Sequence, residues 1–410
     1  MTDKERVFLG LRGNALVLTL TQFLITCGMF LTNPFWSLYV LELGASISDL
    51  GFFSLLTGLL PAVFIAPVGY LGDHMSRKKL IIIGSLLSSF GPLLNAFATN
   101  WVQLIPGTLI GSLMQIFNPV TQAFVAEDIS PSERGKAYAT RFTLLMIPGT
   151  FTPTVAGIFF DTMGFETGMR YMLFLNAGLR FLMVVLIIKF LKEGTVSPRA
   201  WSRGKLKISS LRPVLSEMFR PLLSNKTLRV MATGSAASAF SMGMMTRFQS
   251  VYVVEVIGLT KTDWGLITSW VAIVRILTRI PLGGLADKWG RRRSILIHYF
   301  LQPLCTFALA FSRDFLTVFL AMATRTLVFN VGMPAWQAMV ADIAPSNVRG
   351  TVYGSMGTVQ IIVQSIAPTI GGAAWDAFSP EWIFYLAALG RALSAGWLFK
   401  FLKEPKHRAE

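Results

Sequence analysis

A chain of 410 residues with 53% hydrophobic and only 14% charged side chains is not an ordinary water-soluble protein, for which about a quarter charged is usual. Phe (32), Met (18) and Gly (35) are abundant, and the mean hydropathy is +0.57. Such a composition fits a chain dissolved in lipid and excludes a disordered polymer and a soluble single-core enzyme. Cys27 and Cys305 lie inside apolar runs, so no disulfide framework exists. The net charge of +16 would suggest nucleic acid, but the placement of the charges decides.

Crossing hydrocarbon takes about 20 largely apolar residues in a helix. Twelve such stretches follow one another, at 14–42, 47–71, 79–98, 101–126, 137–160, 169–191, 229–257, 263–285, 294–312, 314–340, 351–375 and 382–402. The first is too long for a secretory signal and has no small-residue cleavage site after it, so it is expected to stay in the mature protein. The long connection 192–228 is polar and basic; its segment Ser209–Phe219 reads equally as a short amphipathic helix on the inner leaflet or a solvated linker. The expected organisation is a six-helix bundle over 1–191, a linker over 192–228 and a second six-helix bundle over 229–410.

Twelve spans put both termini on one side. That side holds 27 of the 37 Lys and Arg, the other only Arg170, Lys261 and Arg313, and seven Arg fall within spans. By the positive-inside rule the basic side is cytoplasmic. The protein is thus expected in the plasma (cytoplasmic) membrane with both termini inside, and the charge needs no nucleic-acid partner.

The two halves align at an offset of 211 to 215 residues. Phe35, Ser37, Tyr39 and Glu42 recur as Phe248, Ser250, Tyr252 and Glu255. Pro67, Gly69, Leu71 and Asp73 recur as Pro281, Gly283, Leu285 and Asp287. Pro153, Gly157 and Asp161 recur as Pro368, Gly372 and Asp376, and Arg180 recurs as Arg391. The run Lys189 to Glu193 returns verbatim as Lys400 to Glu404. Two parallel repeats imply a pseudo-two-fold axis along the membrane normal with a cavity between the bundles.

On these residues the chain resembles the major facilitator superfamily over essentially its whole length. The strongest signature is the loop after span 8, Gly283, Asp287, Lys288, Gly290, Arg291 and Arg292, with a first copy after span 2 at Gly69, Asp73, His74, Ser76, Arg77 and Lys78 that departs at His74 and Ser76. The resemblance implies an all-α membrane protein, twelve transmembrane helices in two pseudo-symmetric bundles, and transport by alternating access. Gly69, Asp73, Arg77, Gly283, Asp287, Gly290 and Arg291, with Glu127, Asp128 and Asp342 as partners, are expected to form a cytoplasmic gating latch; static anchoring of the loops is the plainer reading. Thr152 to Gly157 and Ala367 to Gly372 partly resemble a Gly-Pro element of drug–proton antiporters, although plain kinked packing is the preferred reading of both copies.

No Asp or Glu falls mid-span, whereas Arg141, Arg180, Arg247, Arg275, Arg279, Arg325 and Arg391 do. A cation in hydrocarbon is costly unless paired or wetted, so such arginines mark functional sites by default. Arg141 is expected to snorkel to the interface, and Arg180 and Arg391 to be structural, on helices peripheral in the family. Arg247, Arg275, Arg279 and Arg325 are the candidate substrate ligands, with Asn33, Gln115, Asn118, Asn330 and Gln360 as hydrogen-bonding candidates that serve equally well as interhelical glue. Guanidinium forks suit carboxylate or phosphate. The preferred reading is a secondary transporter of a small organic anion. Its rivals are a proton-coupled multidrug efflux antiporter and a transport-inactive receptor or scaffold. No metal site, cofactor or enzymatic centre is expected; the partners are solute, lipid and, for coupling, protons, and the unit is a monomer.

Overall fold

A computed structural model describes residues 11, 13–74, 76–129, 134–193, 219–345 and 348–403. The segment expected as an amphipathic helix lies outside these, apart from Phe219. In a bilayer every backbone polar group must find a partner within the protein, which leaves helices as the answer for a chain of this composition. The described residues are almost entirely helical, and the helices follow one another in the order expected from the apolar stretches.

Helix α1 is Gly13–Thr32, continued through the tight turn Asn33–Phe35 into Trp36–Glu42. Helix α2 is Ile47–His74 and α3 is Arg77–Ala96. Helix α4 comes in pieces: Trp101–Gln103, Leu104–Gly111, Leu113–Ile116 and Asn118–Glu127. Helix α5 joins Arg134–Met146, Ile147–Thr150 and Thr152–Met163, and α6 is Phe165–Phe190. Helix α7 joins Lys226–Thr246, Gln249–Val251 and a π-turn Tyr252–Val256; α8 joins Lys261–Gly283 and Leu285–Trp289. Helices α9 to α12 are Arg291–Ala310, Phe315–Ile343, Arg349–Ala377 and Trp382–Phe401.

Seven of these, Gly13–Glu42, Arg77–Ala96, Ala137–Met163, Phe165–Phe190, Lys261–Gly283, Phe315–Ile343 and Trp382–Phe401, are long and apolar enough to cross a membrane. Helix α4 differs from the unbroken span 101–126 read from the sequence. Ser112 turns its hydroxyl onto the Leu109 carbonyl, 2.6 Å away, in competition with the helical ladder. Pro119, in the first turn of Asn118–Glu127, has no N–H to continue that ladder. Helices α3, α5, α9 and α11 begin two or three residues before the apolar spans, because helical bonding continues past the hydrocarbon edge.

The two copies of the loop motif end their helices differently. Gly290 adopts φ +85° between α8 and α9, a conformation open to glycine. At the equivalent place Ser76 caps α3 instead, accepting from the Lys79 N–H at 3.4 Å. The departure from glycine is therefore matched by a different stop signal.

The chain divides into two compact units, Met1–Ala45 with Leu60–Arg203 and Thr260–Ala272, and Ser46–Leu59 with Gly204–Leu259 and Ile273–Glu410. These follow the two sequence repeats except that the first parts of α2 and α8 are exchanged. In the first unit, Leu18, Ile25, Leu80, Phe124, Val184 and Ile187 pack one core. In the second, Met231, Ile295, Trp336, Met339, Val352 and Leu398 pack another. Equivalent residues take equivalent places: Phe35, Tyr39, Phe248 and Tyr252 are all fully buried.

Candidate functional site

The second unit holds a cluster of guanidinium groups. Arg325 stands ten residues into α10, about 15 Å along the helix. It is half-buried, and Nη1 donates to Met245 Sδ at 3.3 Å, a weak acceptor. Arg275 and Arg391 both lie within electrostatic reach of Arg325, and Arg279 within that of Arg275. The Arg275 and Arg279 side chains are exposed from the protein. Gln302 on α9 joins the cluster together: its Oε1 accepts from Arg391 Nη1, and its Nε2 donates to the Arg325 carbonyl at 2.9 Å. Arg391 is 6% exposed. Arg325 and Arg391 both donate to neutral acceptors, Met245 Sδ and Gln302 Oε1.

Of the other candidates in this unit, Arg247 ends the first part of α7 and is exposed. Asn330 is 2% exposed and donates to the Arg275 carbonyl at 3.0 Å and to Thr278 Oγ1 at 2.9 Å. It therefore ties α10 to the stretch of α8 that carries Arg275 and positions that arginine. Gln360 is half-buried on α11. In the first unit Asn33, Gln115 and Asn118 are exposed, and Asn118 accepts from Gln122 at 3.4 Å.

The first unit also buries arginines against neutral acceptors. Arg180 is 8% exposed and donates to Asn176 Oδ1 and to the carbonyls of Ser88 and Gly111. Arg141 does not snorkel. It is 3% exposed and donates to Gln22 Oε1 at 2.5 Å, because Gln22 on α1 supplies an acceptor at that depth. Gln22→Leu would strand the Arg141 charge, and the expected loss is about 2 kcal/mol, read as a lower melting temperature in detergent.

At the ends assigned to the cytoplasm, the side chains of Gly69, Asp73, Glu127 and Asp287 lie outside the described residues. Arg291 pairs with Asp342 and also donates to the Ala338 carbonyl at 3.2 Å. Asp128 accepts from the backbone N–H groups of Asn14 (2.6 Å) and Ala15 (3.2 Å). It thus caps the start of α1, where unsatisfied donors and the helix dipole favour a carboxylate. Asn14 in turn accepts from the Lys192 N–H at 2.8 Å, tying the start of α1 to the end of α6.

The opposite ends hold a doubled arrangement that sequence reasoning missed. Helix α2 is entered by Ser46-Ile47-Ser48-Asp49 and α8 by Thr260-Lys261-Thr262-Asp263. In each, the first hydroxyl residue and the aspartate exchange backbone bonds of 3.0 Å, a reciprocal cap. The middle residue reaches another helix. Ser48 donates to Asp376 Oδ2 of α11 at 2.5 Å. Thr262 donates its N–H and hydroxyl to Asp161 Oδ2 of α5 at 2.8 and 2.6 Å. Glycines make the approach possible: a Cβ on Gly51 would sit 2.6 Å from the Pro368 carbonyl oxygen, and one on Gly265 2.3 Å from that of Pro153. The signal was present, since both tetrapeptides and both aspartates recur between the repeats.

The Major Facilitator Superfamily model matches residues 18–360 and again 231–410. The chain is similar to the multidrug resistance protein MdtG of Rahnella sp. (strain Y9602), 24% identical over 406 residues, which is 97% of this chain and 95% of that protein. Its fold is similar to the solved nucleoside transporter NupG (D323A mutant), with a TM-score of 0.76, 15% identity, and coverage of 95% of this chain and 100% of that one. A D-xylose-proton symporter gives a TM-score of 0.73 at 17% identity, covering 97% and 99%.

Proposed function

The chain belongs to the major facilitator superfamily, and from that premise we propose that this secondary transporter carries a small organic anion across the plasma membrane by alternating access. The observation that carries the reading is the Arg275–Arg325–Arg391 cluster, in which Arg325 donates to the Met245 thioether and Arg391 to the Gln302 amide. Guanidinium groups in a low-dielectric setting bind carboxylate or phosphate strongly through paired, charge-assisted bonds. Arg275 and Arg325 contact the solute, Asn330 and Gln302 fix the helices that carry them, and Arg247 guides the anion inward.

The 1–191 and 229–410 repeats act as the two moving bundles, with 192–228 between them and both termini in the cytoplasm. The Ser48–Asp376 and Thr262–Asp161 bonds hold the outer ends together in one state. The Arg291–Asp342 pair belongs to the cytoplasmic latch.

Single replacements of Arg247, Arg275 and Arg325 by Gln test the reading. Uptake of labelled carboxylates and phosphates into proteoliposomes is expected to fall for Arg275 and Arg325 most. Retained uptake in all three contradicts it. A second reading, proton-coupled efflux of drug-like amphiphiles, is favoured by the similarity to MdtG, a multidrug resistance protein. It lacks a mid-span carboxylate to carry the proton. Efflux of a cationic dye driven by a pH gradient, unchanged by these replacements, would select it.

A further inference from the structure

We propose that the protein carries two equivalent headgroup sites for acidic phospholipid, one where the end of α6 meets the start of α3 and one where the end of α12 meets the start of α9. The inference rests on the bilayer setting and is independent of the solute.

The starting observation is the run Lys189 to Glu193, which returns unchanged as Lys400 to Glu404 while the sequence before it has diverged. The geometry of the two copies agrees as well. Lys189 Nζ lies 5.4 Å from the centroid of the Phe190 ring, and Lys400 Nζ lies 5.3 Å from that of Phe401, within cation–π range. The leucine that follows is buried in each copy, Leu191 and Leu402 both at 1% exposure. An ammonium held over a ring at the hydrocarbon edge stays at headgroup depth, with its stem along apolar surface.

Each copy is joined to the basic start of a neighbouring helix. Ser76, which caps α3, donates to Glu193 at 3.1 Å, and Arg77, Lys78 and Lys79 follow it directly. Arg292 Nε donates to the Leu402 carbonyl at 2.7 Å and Nη2 to that of Phe399 at 3.1 Å, at the end of α12 where carbonyls lack helical partners. These bonds bring Arg292 and Arg293 beside Lys400 and Lys403. Glu193 stands among the cations of the first cluster, and Arg291 of the second pairs with Asp342. The surface next to each cluster is apolar. Ile83, Val185 and Ile188 beside the first, and Phe300, Leu393 and Phe399 beside the second, are all exposed from the protein. Phe300 and Phe399 meet edge to face at 5.8 Å across the seam of α9 and α12.

Cations at headgroup depth beside exposed apolar side chains match an anionic headgroup together with its acyl chains. Topology asks only for a number of Lys and Arg in the connections. Here they are gathered between helices, as in basic pockets that bind acidic headgroups. A soluble phosphate would use the cations but not the apolar surface next to them, so the lipid is the better match.

The test uses the full chain in detergent. Its melting temperature is measured with phosphatidylglycerol, with phosphatidylcholine of the same acyl chains, and with glycerol 3-phosphate. Phosphatidylglycerol is expected to raise it and the other two to leave it unchanged. Replacing Lys189, Lys192, Lys400 and Lys403 together by Gln is expected to lower the apparent affinity for phosphatidylglycerol at least about tenfold, the scale set by lysines at an acidic surface. Replacing Arg199, Arg203, Lys205 and Lys207 of the linker by Gln removes the same charge and is expected to leave that affinity unchanged. No change in the first set, or equal changes in both, overturns the proposal. Equal stabilisation by the two phospholipids overturns it too, and stabilisation by glycerol 3-phosphate would make the ligand a soluble phosphate instead. Native mass spectrometry of the unaltered chain gives a reading that needs no variant: phosphatidylglycerol retained in preference to phosphatidylcholine supports the sites, and equal retention contradicts them. Neither measurement depends on the anion reading or on which way the chain faces.

Discussion

Replacing Gly265 with Leu is expected to cut transport about a hundredfold while the protein stays folded and monodisperse. A Cβ at this position would meet the Pro153 carbonyl oxygen at 2.3 Å, and backbone cannot give way as a flexible side chain can. Helix α8 would have to part from α5, and the Thr262–Asp161 bonds with it. Overpacking of this kind costs about 3 kcal/mol, and that amount shifts a two-state equilibrium by about two powers of ten. The state in which these ends meet would be depopulated, and the cycle would stall. The check is labelling of a cysteine in place of Thr154, which now bonds Ser269 at 2.9 Å, in a background without Cys27 and Cys305. External maleimide is expected to reach it faster in Gly265→Leu. Equal labelling and normal transport would show that this contact plays no part in the cycle.

The second large effect is at Arg325. Arg325→Gln is expected to reduce uptake of the transported anion by about a hundredfold or more, since removing one member of a desolvated charge pair costs 2–5 kcal/mol or more. Arg325→Lys separates charge from geometry. Lysine restores a positive point charge but not the planar fork, so a partial recovery, seen chiefly as a raised KM, is the expected outcome. Thermal stability should fall little in either variant, because the native side chain is half-buried and donates to a thioether.

What was legible in the chain follows from periodicity and repetition. The spans, the duplication and the loop motifs are local patterns, and helices in lipid follow from them almost by necessity. The intramembrane arginines were visible for the same reason: a charge in an apolar run stands out. The partners of those arginines were not visible. Gln302 lies 89 residues from Arg391, and its amide looked like any other polar residue on an apolar helix. Arg391, expected to be structural, is buried and held by that amide, which also reaches the Arg325 carbonyl. Arg141 was misjudged because its proximity to one end of α5 suggested the interface, while its acceptor sits on α1, 119 residues away. The interruption of α4 depends on Ser112 and Pro119, whose small local effects a hydropathy reading averages away. The bonds of Asp161 and Asp376 to the starts of α8 and α2 needed the tertiary arrangement to pair two motifs that the sequence shows only as separate repeats.

The central claim is that the guanidinium cluster of the second unit is the anion site. Its most direct test is calorimetric titration of purified protein with the anion that gives the largest thermal stabilisation, repeated for Arg275→Gln and Arg325→Gln. Binding to the native chain that weakens at least tenfold in each variant, about 1.4 kcal/mol, is the result expected. An unchanged affinity in both variants would contradict the account.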